Sequence, residues 1–194
     1  MTIYGERLAL ANAKAWLYPG AFAPAESRAL YRTLYERLDW QESAIRLFGR
    51  RVKSPRLSVW YGDKPYTYSG LAWPVRAWRS ELIEIRQRVE ILAGQAFNGV
   101  LCNLYRDGRD SMGWHSDDEQ ALGPDPVLAS VVFGAGRRFV FRSKTEKIQK
   151  QEVVLKDGDI LIMGVGTQSN WSHAVPKTSK LVGPRINLTF RWVV

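Results

Sequence analysis

The chain has only two histidines, and each sits among polar neighbours. His115 lies in GWHSDDE, the densest acidic stretch, and His173 lies in NWSHAVP. His115 and Asp117 stand at i and i+2, which puts both side chains on one face of an extended segment. With His173 brought alongside, they make two imidazoles and one carboxylate. That set holds iron(II) from one side and leaves positions open for oxygen chemistry. His-x-Asp alone occurs by chance on protein surfaces, so the second pattern matters more. RINLTFRW alternates Arg185, Asn187, Thr189 and Arg191 against Ile186, Leu188, Phe190 and Trp192. On alternation alone the polar side of such a strand would meet water. Turned inward it would need anionic company, because an unpaired buried guanidinium costs several kcal/mol. Arg185 and Arg191, about 20 Å apart along an extended chain at roughly 3.3 Å per residue, could converge their long side chains on the two ends of a small dicarboxylate.

These groups need a rigid frame, and the texture from Gly99 onward supplies one. VLCNLY, VLASVVFG, RRFVFRS, QEVVLKDGDILIMG and RINLTFRWVV are short runs of β-branched and aromatic residues divided by Gly and Asp turns. KDGD between two such runs predicts a hairpin. Before them, Pro24 opens PAESRALYRTLYERLDW, with Leu30, Leu34 and Leu38 on one helical face. Pro74 opens PVRAWRSELIEIRQRVEILAGQAF, with Trp78, Leu82, Ile85, Val89 and Leu92 at three- and four-residue steps, so a second helix is expected from Pro74. Helices first and many strands after predict an α+β fold, a jelly-roll core buttressed by helices. No repeat, low-complexity tract or long linker divides the chain, which reads as a single domain over 1–194.

At 194 residues and 45% hydrophobic content, the chain should fold without disulfides or structural metals. Its one cysteine, Cys102, cannot form an internal disulfide, which favours a reducing compartment: the cytoplasm, or the nucleus of a eukaryote. The opening MTIYGERLALANAKAWLYPG has Glu6, Arg7 and Lys14 interrupting every apolar run, so neither a signal peptide nor a membrane span is expected. A net charge of +9 points to a polyanionic partner. Basic residues gather in IRLFGRRVKSPR, AGRRFVFRSK and KTEKIQK, at loop-like stretches where a groove could collect them. No exposed apolar stripe stands out, and a monomer is expected.

Taken with FGRRVKSPR, YTYSG, NLYRDGRDSMGWHSDDE, ASVVFGAGRRFVFR, DGDILIMGVGTQSNWSHAVP and GPRINLTFRW, the chain resembles the AlkB family of Fe(II)/2-oxoglutarate dioxygenases over most of its length, from about Phe48 to Val194. The resemblance implies a double-stranded β-helix (jelly-roll) core over about 99–194. The helical buttress and a nucleotide-recognition lid would fill about 1–98. It implies that His115, Asp117 and His173 ligate iron(II) and form the catalytic centre. Asn103 and Tyr105 would hydrogen-bond 2-oxoglutarate, Arg185 would pair its distal carboxylate and Arg191 the other. Asn187 and Thr189 would complete that pocket. The implied activity is oxidative demethylation of N-alkylated bases in DNA, such as 1-methyladenine and 3-methylcytosine. Such direct reversal of damage uses O2 and 2-oxoglutarate and releases formaldehyde, succinate and CO2.

A target base must be single-stranded or flipped out to reach such a centre. Aromatic rings on either side, each worth about 1–3 kcal/mol, could largely offset that cost. Tyr66 and Tyr68 in KPYTYSG would belong to the lid, with Tyr68 and the His115 ring sandwiching the base. Phe48, with Gly49 beside it and Arg50, Arg51 and Lys53 following, is read as a finger filling the gap in a duplex. DNA is therefore expected as substrate in single and double strands. Asp118 and Glu119 would face a cationic methylated ring, or pair with nearby arginines such as Arg109. Trp114 and Trp171 would pack beside the metal histidines, and Cys102 and Met163 would lie in the core. Rivals are the same chemistry on RNA or a non-nucleic substrate, and a lesion-binding protein that turns nothing over. A zinc hydrolase with the same ligands is a distant third, because no nearby group suits a general base for water.

Overall fold

A computed structural model describes residues 4–47, 50–68, 71–146 and 148–194, with side chains described throughout except at 45–47, 50–52 and 68. The N-terminal part contains β1 (Glu6–Arg7), β2 (Ala15–Tyr18), α1 (Pro24–Arg37), β3 (Gln41–Leu47), β4 (Arg50–Gly62), β5 (Tyr66–Tyr68), β6 (Leu71–Trp73) and α2 (Ser80–Ala93). There follow β7 (Gly99–Tyr105), β8 (Met112–His115), β9 (Leu128–Gly134), β10 (Arg137–Ser143), β11 (Lys150–Leu155), β12 (Ile160–Met163), the single turn α3 (Thr167–Asn170), β13 (Trp171–Val175) and β14 (Arg185–Arg191).

The strands form a large sheet, β1-β2-β12-β9-β14-β7-β4-β3, and a small sheet, β11-β10-β13-β8. All the pairings are antiparallel. From β7 onward the chain passes large, small, large, small, small, large, small, large, the winding of a double-stranded β-helix. β5 and β6 make a separate two-stranded flap.

The large sheet is buried on both faces. Leu30 and Leu34 of α1 and Leu82, Ile85 and Val89 of α2 cover its outer face, against Phe133, Ile186, Leu188 and Phe190. Between the sheets lie Trp60, Leu101, Tyr105, Val132, Phe139, Phe141 and Trp171. The two-sided burial explains why β7 and β9 read as near-continuous apolar runs.

Three expectations meet corrections. KDGD is no hairpin: β11 pairs with β10, and β12 with β9 and β2, so Lys156–Asp159 carries the chain from one sheet to the other. Its turn residues serve that corner. Gly158 sits at φ 79°, Asp159 accepts the amides of Gly20 and Lys156, and Asp157 accepts the Ser27 hydroxyl and the Gly134 amide. The second helix starts at Ser80 rather than Pro74, because Trp78 leaves the helical stripe to donate to Asp63 at 2.8 Å and stack over Phe190. Sheet structure also begins well before Gly99, with β2 pairing to β12 and β4 to β7.

Gly99 couples this frame to the flap. A Cβ there would lie 2.2 Å from the indole of Trp60. Trp60 is fully buried, stacks on Tyr66 of β5 at 4.7 Å and donates to the Lys64 carbonyl. Gly99→Ala is expected to cost about 1–3 kcal/mol by overpacking, read as a lower urea midpoint, and to raise proteolytic cleavage near residues 64–72.

Candidate active site

Cross-strand register assembles the site. His115 on β8 is paired directly with His173 on β13, which in turn faces Phe141 on β10. On the opposite sheet β14 aligns Arg185 with Tyr105, Asn187 with Asn103 and Thr189 with Leu101 of β7, while Thr189 also faces Ser130 of β9. His115 and His173 from one sheet and Leu101, Asn103, Tyr105, Ser130, Asn187 and Thr189 from the other line one cavity, while Arg185 is not part of that lining and sits over the Tyr105 ring.

Ligand atoms of His115, Asp117 and His173 all lie within 4.8 Å of one another. The His115 Nδ1 is 2.9 Å from the Gly113 carbonyl. A carbonyl only accepts, so Nδ1 holds the proton and Nε2 keeps its lone pair for an ion. Burial, and then the neighbouring His173, pull His115 down to about 3, so the imidazole is neutral at physiological pH. His173 is buried, stacked on Phe139 at 5.2 Å, with its Nε2 3.5 Å from Oδ2 of Asp117. That Oδ2 has no hydrogen-bond partner among the described residues. Burial alone would raise the Asp117 carboxyl; Arg191 at 2.6 Å and the His173 ring outweigh it and hold it well below its ordinary range. Two imidazole rings and an ionised carboxylate with an unused oxygen fit a divalent cation.

The polar side of β14 does not meet water: Arg185, Asn187, Thr189 and Arg191 are all buried. The two arginines differ sharply. Arg191 is answered by Asp117, and lies 5.3 Å over the Tyr66 ring. Among the described residues Arg185 has no hydrogen-bond partner on any of its three nitrogens, and the Tyr105 ring lies 5.0 Å away. Burial pulls it down to about 10, still charged at neutral pH. Arg137 closes the same end of the pocket by donating to the carbonyls of Asp107, Asp110 and Pro176 at 2.8–3.0 Å. No carboxylate among the described residues answers Arg185, so the pocket fits an anionic ligand group there. Asn103 accepts from Arg56 Nε and Ser58 Oγ, both at 2.9 Å, which turns its NH2 group toward a ligand. Asn187 donates instead to Ser130 Oγ at 2.9 Å.

Sequence reasoning had not singled out Arg56, Ser58 or Gln168 for this site. Gln168, fully buried on α3, accepts the Asp117 amide at 2.9 Å and so fixes the backbone beneath the carboxylate. Ser54, Arg56 and Ser58 alternate along β4 in SPRLS, the same signal that exposed β14, but inside a stretch not expected to be a strand. Among the expected substrate contacts, Phe48 and Gly49 lie outside the described residues, as do the side chains of Arg50 and Tyr68. Tyr66, expected in the lid, is buried against Trp60 with its hydroxyl donating to Glu119 at 3.2 Å. Asp118 pairs with Lys144 at 3.0 Å, while Arg109 takes Asp107. Trp171 packs in the core, but Trp114 points outward and is 41% exposed. No helix among the described residues is long and apolar enough to cross a membrane.

This fold and donor set define a mononuclear metal site built for an anionic cosubstrate, and sequence comparison agrees. The pattern of the 2OG-Fe(II) oxygenase superfamily matches residues 14–191. The human alpha-ketoglutarate-dependent dioxygenase alkB homolog 3 is 39% identical over 186 residues, covering 91% of this chain; the chain spans 65% of that relative's length. The mouse DNA oxidative demethylase ALKBH2 is 38% identical over 189 residues, covering 91% of this chain and 79% of the relative. The solved structure of OsALKBH1 superposes over 96% of this chain and all of that one, with TM-score 0.65 at 15% identity, a likeness of fold. The chain belongs to the AlkB family of the 2OG-Fe(II) oxygenase superfamily. Its cofactors are iron(II), 2-oxoglutarate and O2.

Because Arg185 is buried without a partner, Arg185→Met should leave the ligand-free protein as stable as wild type or more so, by up to about 1–4 kcal/mol. On protein already loaded with Mn(II), addition of 2-oxoglutarate should raise the wild-type melting temperature further and leave that of the variant unchanged.

Proposed function

We propose that the protein is a DNA oxidative demethylase that removes N-methyl groups from bases such as 1-methyladenine and 3-methylcytosine. The observation that carries this reading is the pocket itself. A three-ligand metal site shares its cavity with Tyr105, over whose ring the buried Arg185 sits with no hydrogen-bond partner among the described residues, and a half-buried Glu119 stands two residues beyond Asp117. The likeness to the alkB homolog 3 and ALKBH2 proteins supports it.

His115, Asp117 and His173 hold the iron. Arg185 pairs the distal carboxylate of 2-oxoglutarate, and Asn103 and Tyr105 orient it. Arg191 holds Asp117 in its ionised form, and Asn187 and Thr189 complete the pocket. When bound, iron(II) with 2-oxoglutarate and O2 supplies the oxidising power that hydroxylates an N-methyl carbon, with succinate and CO2 as coproducts and formaldehyde released from the base. The chain's part is to orient and to exclude water. Phe139 and Phe141 flank His173 at 5.2 and 6.2 Å and keep that side of the centre dry. Glu119 is held by Tyr66, and since Asp117 and Arg191 nearby offset one another, its own carboxylate is the group a ring there would meet. A cationic methylated ring is favoured there over a neutral base. The basic stretch around Phe48 extends the substrate to duplex as well as single-stranded DNA, with the protein acting as a monomer.

Mass spectrometry of matched single- and double-stranded oligonucleotides carrying either lesion tests the reading directly. Methyl loss should require Fe(II) and 2-oxoglutarate and disappear in His173→Ala. Phe48→Ala should lower activity on the duplex more than on the single strand. In competition, Glu119→Gln should erode the preference for 3-methylcytosine over a neutral N-methyl base. If 2-oxoglutarate is consumed but no DNA is demethylated, the substrate lies elsewhere, RNA being the first to try.

A further inference from the structure

The small sheet has a second face that this chemistry leaves unused. Successive residues of a strand point to opposite sides. Trp114 therefore stands on the outer face of the sheet whose inner face carries His115. Around it, Trp114, Val140, Ala174, Arg138, Lys150 and Lys177 line a groove of about 530 Å³. Arg142, which is not part of that lining, sits 4.3 Å over the Trp114 ring. The tryptophan remains 41% exposed.

Charge in the groove is lopsided. Its one carboxylate, Glu152, is taken by a two-pronged bond from Arg138, both contacts 2.6 Å. Lys150 and Lys177 have no ion-pair partner among the described residues. An exposed indole flanked by unanswered cations is what a nucleic-acid strand needs, a ring for a base and ammonium groups for phosphates. A protein partner would instead need carboxylates facing both lysines. The groove also lies next to the pocket mouth. β8 is an edge strand, and His115 at its end is only half-buried, whereas His173 on the adjacent β13 is fully buried. Met112 and Val175 line both the cavity and the groove, so the two adjoin at β8, one residue from Trp114.

We propose that the outer face of the small sheet binds the single strand flanking the target nucleotide, with a neighbouring base stacked on Trp114 and phosphates paired to Lys150 and Lys177. The proposal rests on the reading of the substrate as nucleic acid. It implies an order along the strand: the target base enters the cavity, the chain rounds the β8 edge, and the adjacent base is caught outside.

The test is fluorescence anisotropy with an unmethylated, labelled single-stranded oligonucleotide of about 15 nucleotides, within the usual site size for such strands, on protein loaded with Mn(II) and 2-oxoglutarate. Trp114→Ala should weaken binding on the order of tenfold, and Trp114→Phe should recover most of it. Lys150→Ser with Lys177→Ser should reduce the slope of log affinity against log salt by about 1.4, roughly 0.7 per lost phosphate contact. Demethylation of a methylated mononucleotide, too short to reach the groove, should be unchanged in both. Wild-type affinity in Trp114→Ala would overturn the proposal while leaving the demethylase reading intact. So would an equal loss on the mononucleotide, which would mean that Trp114 acts only by holding His115. Failure of the wild type to bind or demethylate any nucleic acid would remove the demethylase reading first, and this proposal with it.

Discussion

A carboxylate buried to 1% exposure stays ionised only if a cation stands beside it, and Asp117 has Arg191 at 2.6 Å. Everything around the centre follows from satisfying that pair. The guanidinium comes from β14, at the middle of the large sheet, while Asp117 follows β8 at the edge of the small one. The bond therefore spans the two layers of the β-helix. Breaking it from either side would strand a buried charge, which typically costs about 3–5 kcal/mol. Neighbouring contacts limit its freedom further: Gln168 holds the Asp117 amide, and the Gln168 carbonyl accepts from Lys144 at 2.7 Å, the same ammonium that pairs Asp118. The carboxylate is thus fixed from its backbone and from one oxygen, with the second oxygen turned toward His173.

Against that satisfied pair, Arg185 is the exception that gives the pocket direction. Two guanidiniums lie at this end, and only Arg137 is fully engaged, by carbonyls that neutralise none of its charge. The Tyr105 ring between them offers a π face to Arg185 at 5.0 Å and to Arg137 at 6.0 Å. Stability alone would favour an apolar residue in place of Arg185. Its retention inside the sheet makes sense as a ligand anchor, whose desolvation is offset only when an anion arrives.

Much of this was legible in the chain because the polar choices are so few. With two histidines and one densely acidic stretch, the ligand set could be read from residue types, and the alternation in RINLTFRW exposed the second anchor. The jelly-roll texture after Gly99 was equally plain. What escaped the reading shares one cause, that pattern specifies local conformation but not partners. KDGD has the chemistry of a tight turn in either role, and only the pairing of β12 with β9 and β2 decides for a corner between sheets. Ser54, Arg56 and Ser58 lie in a stretch whose basic residues hid its alternation. Trp78 fits a helical stripe by spacing, yet its indole N–H found Asp63 and its ring found Phe190. Trp114 and Trp171 look alike beside their histidines. Trp171 is buried and donates to Ala11, whereas Trp114 faces out, a difference of parity that depends on where each strand sits.

That parity is itself constrained. A one-residue slip of β8 would turn Trp114 into the cavity and His115 out of it, since the side-chain period of a strand is two. β8 is short and has a neighbour on one side only, so its hydrogen-bond ladder gives little resistance to slipping. Its register against β13 even shifts between His173 and Val175. Side chains beyond the strand supply the missing resistance: Ser116 donates to the Trp171 carbonyl at 3.0 Å, and Gln168 takes the next free amide. Both anchors lie at α3 or the start of β13, the stretch that delivers His173. The two halves of the metal site are therefore locked to each other directly rather than through the sheet. An edge strand fixed in this way can leave its outer side open, so catalytic geometry inside and an exposed tryptophan outside coexist on four consecutive residues.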